Sequence, residues 1–74
     1  MISVYVSDED WNSYDGNNPA PLGTTVSVSV NNYSDLNVNV TVKMGGEVIA
    51  TGSTSSYYES ELFVVTGHIA VLIE

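Results

Sequence analysis

The chain has 74 residues, no cysteine, nine acidic residues against a single lysine and no arginine, and a formal net charge of −8. That length allows one domain with a thin core, and without cysteine no disulfide can reinforce it. One lysine cannot replace the counterions of a phosphate backbone or bind an anionic lipid surface. Direct nucleic-acid binding and membrane binding are therefore excluded as expectations.

In chain order the dominant period is two. Ile2-Ser3-Val4-Tyr5-Val6-Ser7 alternates aliphatic and other residues and predicts a first strand. No basic leader with a long apolar run precedes it, and no apolar run reaches the roughly 20 residues that span a bilayer. The expectation is a soluble protein made in a cytoplasm.

Ser7 to Asn18 follows, SDEDWNSYDGNN, with four acids, a tryptophan and an Asp-Gly turn. It opens a long acidic loop, Asp8 to Gly23, which Pro19 and Pro21 keep out of a sheet ladder. Long loops inside compact domains often carry function. Thr25 to Asn32 (TVSVSVNN) then places Val26, Val28 and Val30 on one face. Leu36 to Met44 does the same for Leu36, Val38, Val40, Val42 and Met44. Asn31 to Asp35 between them reads as a short hairpin loop. Gly45-Gly46 predicts a tight type I′ turn into a strand over Glu47–Thr51. Gly52 to Ser56 reads as a turn. Tyr57 to Thr66 forms the next strand, with its alternation slipping near Leu62-Phe63 as at a bulge. After Gly67, Ile69 to Ile73 is apolar on both faces. That marks either a central strand or one whose outer face meets a partner.

About six short antiparallel strands with turn residues between them predict an all-β fold. The specific form is a small β-sandwich, Ig-like or jelly-roll-like, occupying residues 1–74 as a single domain. The outward positions Ser27, Ser29, Asn31, Asn37, Asn39 and Thr41 are small, polar and uncharged, so the sheet edges lack lysine guards. Small core and unguarded edges together predict a homo-oligomer or stable docking on a larger protein.

Leu22 to Ser53 resembles the core of small Ig-like modules of the CARDB type. The shared pattern is a glycine before an alternating Val/Thr strand, an Asn turn, a second alternating strand and a Gly hairpin. The chain is shorter than such a module, so the resemblance implies a strand that is missing or supplied by a neighbour. Tiny size, absent cysteine, Ser/Thr/Asn-rich strands and few basic residues are also similar to bacteriophage capsid decoration (cement) proteins.

Four constellations bear on chemistry. Calcium loops need alternate oxygen ligands, as in D-x-[DN]-x-[DN]-G. In Asp10 to Gly16 the third acid and the glycine come one residue late, which leaves only a looser cage from Asp8, Asp10, Asn12 and Asp15. For catalysis, the single histidine, His68, has no anchored partner and no nucleophile elbow, while Glu59 and Glu61 share a strand face and could form a dyad only in a cleft, which a fold this small rarely has. The expectation is a protein that is not an enzyme and needs no cofactor. Aromatic anchors are third: Trp11 and Tyr14 lie within the acidic loop, where Trp11 either meets a partner or folds back over an open end of the sandwich. The fourth is the acidic surface itself, which could mimic nucleic acid.

The leading expectation is a viral capsid decoration protein in the virion, assembled in the host cytoplasm and bound to the capsid shell or to itself. Its contacts would be Asp8, Asp10, Trp11, Tyr14 and Asp15. A small acidic inhibitor blocking a basic groove is the alternative, and a cation-dependent adhesion or sugar-binding module the third.

Overall fold

The computed structural model describes residues 1–74 as eight strands and no helix: β1 (Ile2–Asp8), β2 (Ser13–Tyr14), β3 (Thr25–Asn32), β4 (Val38–Met44), β5 (Glu47–Thr54), β6 (Tyr57–Glu59), β7 (Phe63–Val64) and β8 (Ile69–Ile73). The chain contains no helix long and apolar enough to cross a membrane. Two antiparallel sheets face each other. One has the order β2-β1-β3-β6, with β7 also on β3; the other has three strands, β5-β4-β8.

Strict alternation on β3 and β4 builds the core. Val26, Val28 and Val30 face Val38, Val40 and Val42 across the sandwich, and each is at most 9% exposed. All seven buried apolar residues are valine. Their branched side chains suit the pleated surface and lose little rotamer freedom on packing. Ile2, Val6, Ala50, Tyr58, Phe63, Ile69, Val71 and Ile73 pack around this centre and stay half-exposed. Leu36 does not join them. It is 71% exposed, because the chain enters the second sheet only at Val38.

Asn31 to Asp35 is not a hairpin loop, because β3 and β4 lie in different sheets. The corner is held by Asn32, which is buried. Its amide Nδ2 donates to the carbonyls of Leu36 (2.6 Å) and Thr54 (3.1 Å). Its Oδ1 accepts from the backbone N–H and the hydroxyl of Ser34. Two donors and two acceptor sites are thus all used, and the chain is tied across to the end of β5.

Gly45-Gly46 does form the β4–β5 turn, with φ of 61° and 86°. Ile49 is unpaired between Val48 and Ala50, so β5 carries a bulge. That strand runs through Gly52 to Thr54 instead of turning at Gly52. The ring of Tyr58, projecting inward from β6, covers Gly52 so closely that a Cβ there would overlap it. Glycine within a strand here marks close approach of the two sheets.

The slip expected near Leu62-Phe63 falls at Ser60 to Leu62, where the strand divides into β6 and β7. Ser60 turns inward and its Oγ accepts from the Val28 N–H at 2.9 Å, while its own N–H donates to the Val28 carbonyl at 2.8 Å. A side-chain oxygen thereby replaces a missing ladder carbonyl. The last strand, β8, is at an edge and pairs only with β4. The single lysine, Lys43, is half-buried in β4, the middle strand of the smaller sheet.

Candidate functional site

The acidic stretch is more ordered than a plain loop. β1 and β2 form a hairpin with Val6 opposite Tyr14 and Ser7 opposite Ser13. The Asp8 N–H donates to the Asn12 carbonyl (3.0 Å), and the Trp11 N–H donates to the Asp8 carbonyl (3.2 Å). Three residues, Glu9 to Trp11, bridge the strands. Hairpins of this length place their last loop residue in the left-handed region, where glycine is favoured. Here that residue is Trp11, with φ of 65°. A bulky side chain in that region is a strained exception.

Asp8 holds the turn from inside. Its Oδ1 accepts from the backbone N–H groups of Asp10 and Asn12, each at 2.9 Å. Its Oδ2 accepts from Asn12 Nδ2 (3.0 Å) and the Tyr14 hydroxyl (2.8 Å). Hydrogen bonding to the charged form favours it. The Asn12 side chain leads in holding the Asp8 carboxyl down at about 2, partial desolvation opposes this, and the Asn12 backbone, Tyr14 and Asp10 add to it. The bond to Asp8 also pushes the Tyr14 hydroxyl up from its ordinary value.

Asp8 titrates lower in the folded chain than in the unfolded one, so its contribution is complete above about pH 4 and is lost as pH falls toward 2. A carbon-13 titration of the Asp8 carboxyl should give a midpoint near that depressed value. Tyr14→Phe should move it upward by removing one donor. An unmoved midpoint would mean that the hydroxyl does not hold the carboxylate in solution.

Asp15 caps a second small turn. Its Oδ1 accepts from the N–H groups of Asn17 and Asn18, both at 2.8 Å. Both carboxylates most relevant to a cation cage are therefore turned onto N–H and O–H donors of their own loop. Asp8, Asp10 and Asp15 do not converge: no group of three acidic, histidine or cysteine side chains in the structure could hold a metal ion. Asn12 spends its amide on Asp8.

The aromatic residues take opposite positions. Tyr14 is half-buried, with its hydroxyl committed to Asp8. Trp11 does not fold back over the sandwich; it is 85% exposed at the tip of the hairpin, between exposed Asp10 and Asn12. No family model, no curated protein and no solved structure matches the chain.

Behind the hairpin, Val6, Tyr14, Asp15, Pro19, His68 and Ile69 help line a shallow cavity of about 300 Å³. His68 is exposed there. Glu59 and Glu61 are also exposed, and the Tyr57 hydroxyl donates to Glu59 Oε1 at 2.6 Å. The sequence points to Tyr14 as a contact anchor and to Asp8, Asp10 and Asp15 as partners for basic groups; in the structure the Tyr14 hydroxyl and the Asp8 carboxylate are spent on each other. The three-residue spacing between Asp8 and Asn12 was the available signal for a tight hairpin, and a tryptophan in the glycine slot concealed it.

Proposed function

We propose that the protein is a non-enzymatic structural interaction protein that docks on a larger protein lattice, most specifically as a capsid decoration protein in a virion. The observation that carries this reading is Trp11. The fold holds a large, amphipathic ring in solvent at a backbone position where glycine would be less strained. Exposed Trp is the residue type most enriched among interface hot spots. Asp10 beside it, and Asp15 beyond β2, are the partners for basic groups on the lattice, while Asp8 and Tyr14 set the hairpin's shape. Only 12 of 74 residues are buried, so area covered on docking adds to a thin core.

Trp11→Gly separates the two demands. The variant should be as stable as the parent or more so, by up to about 1 kcal/mol, since the left-handed strain is relieved. It should bind at least about tenfold more weakly, as hot-spot truncations do. The measurement is affinity capture on the immobilised chain from lysed cells that carry assembled viral shells, paired with thermal unfolding of both forms. Shell subunits retained by the parent and lost by the variant support the reading. Retention only of Arg/Lys-rich proteins that added DNA displaces would replace it with the acidic-inhibitor reading.

A further inference from the structure

An open sheet edge recruits another strand unless it is short, bent, covered or charged. Most edges of this sandwich are managed in one of those ways. β5 is bent by the bulge at Ile49. β6 and β7 have three and two residues and are separated at Ser60. β1 is covered at Val6 and Ser7 by β2, leaving only its first half open.

β8 has no such device. Ile69 to Ile73 contains no charge, proline or glycine, and its register with β4 runs unbroken from Met44↔Ile69 to Val40↔Ile73. Asn39 and Glu74 exchange both backbone bonds, and the Gly45 N–H donates to the His68 carbonyl. Since bonded positions alternate along an antiparallel pair, Ala70 and Leu72 also point their backbone groups at β4. The N–H and C=O groups of Ile69, Val71 and Ile73 therefore point away from it, along the free edge.

We propose that this edge pairs with β8 of a second copy of the chain, antiparallel about a two-fold axis at Val71. The two three-stranded sheets then become one continuous sheet. In this register Val71 faces its own symmetry mate and Ile69 faces Ile73 of the second copy. Every outward N–H and C=O of the three residues finds a partner. A two-fold axis at Ala70 or Leu72 keeps the bonding parity but leaves one of the three residues unpaired.

The polar residues at the two ends of the strand favour the same register. Of the nine acids only Glu74 adjoins this strand, and the only histidine, His68, adjoins its other end. Both are exposed. With Val71 on the axis, His68 lies opposite Glu74 of the second copy, and the pairing occurs twice. Asp15 and Tyr14 line the same shallow cavity as His68. Leu72, 42% exposed on the outer face, gains cover from Ala70 of the second copy. The dimer does not rest on the lattice reading, because its contacts are the outward backbone groups of β8 and do not involve Trp11.

The test is light scattering on a sizing column over a concentration series, with amide hydrogen exchange of the whole chain. A dimer is expected, with the amides of Ile69, Val71 and Ile73 protected. Val71→Pro removes an outward N–H without touching the ladder to β4, and should give a folded monomer. His68→Glu should weaken the dimer about tenfold by placing a second carboxylate opposite each Glu74. Adding Glu74→His to it should restore the dimer even if the proline variant fails to fold. A monomer at every concentration overturns the proposal. So does a dimer in which the Val71 amide exchanges freely and the charge exchange has no effect.

Discussion

Asn32→Asp should destabilise the protein by about 4 kcal/mol, between a third and all of the roughly 4–11 kcal/mol that a domain of this size possesses. The buried amide donates to the carbonyls of Leu36 and Thr54, and the substitution replaces both donors with oxygen. Two carbonyls lose their partner and a carboxylate is held against them without a compensating cation. Ser34 can still donate to the remaining oxygen, so the loss is concentrated at the crossover between sheets. Burial and the facing carbonyls raise the new carboxyl above its unfolded value near 4. The damage should therefore shrink as pH falls through the folded value, where the protonated acid again donates one bond. Urea unfolding at neutral pH and near pH 4 measures both effects. A loss under about 1 kcal/mol would mean that the corner is held by something other than this side chain.

Gly52→Val should cost about 3 kcal/mol, the upper end of ordinary overpacking. A Cβ on residue 52 overlaps the Tyr58 ring, and the added methyls extend the conflict. The ring cannot retreat without opening the side of the core, where it packs against the central valines. Tyr58→Ala removes the obstruction at the cost of a cavity. The double variant should then be distinctly more stable than the sum of the two single losses implies. Thermal unfolding of the four proteins completes the cycle, and simple additivity would separate Gly52 from Tyr58 energetically.

These two positions also mark where the sequence stops being legible. Alternation over β3 and β4 identifies six inward valines, because a period of two has only one structural meaning when one face is buried. The same pattern is silent about which sheet a strand enters. A hairpin and a corner between sheets both need a polar turn, so Asn31 to Asp35 fits either. The buried role of Asn32 depends on the Thr54 carbonyl, 22 residues away, and no local pattern encodes that contact. Gly52 resembles a turn glycine for a similar reason: what requires it is a ring from another strand. At the candidate site the acids and aromatics were legible as residue types. Their division into a hydrogen-bonded frame, Asp8 with Tyr14, and a displayed ring, Trp11, follows from backbone geometry that the composition of the loop does not reveal.

The placement of the lone lysine has a practical corollary. A protease that cuts only after lysine or arginine has one target in the chain, the bond after Lys43. That bond lies inside β4, paired on one side with β5 and on the other with β8. A protease needs its substrate extended and free of neighbours, so β4 must leave both strands before cleavage. The strand carries three of the five valines of the central cluster with it. Nicking therefore reports opening of the whole sandwich, through a single scissile bond and without an added label.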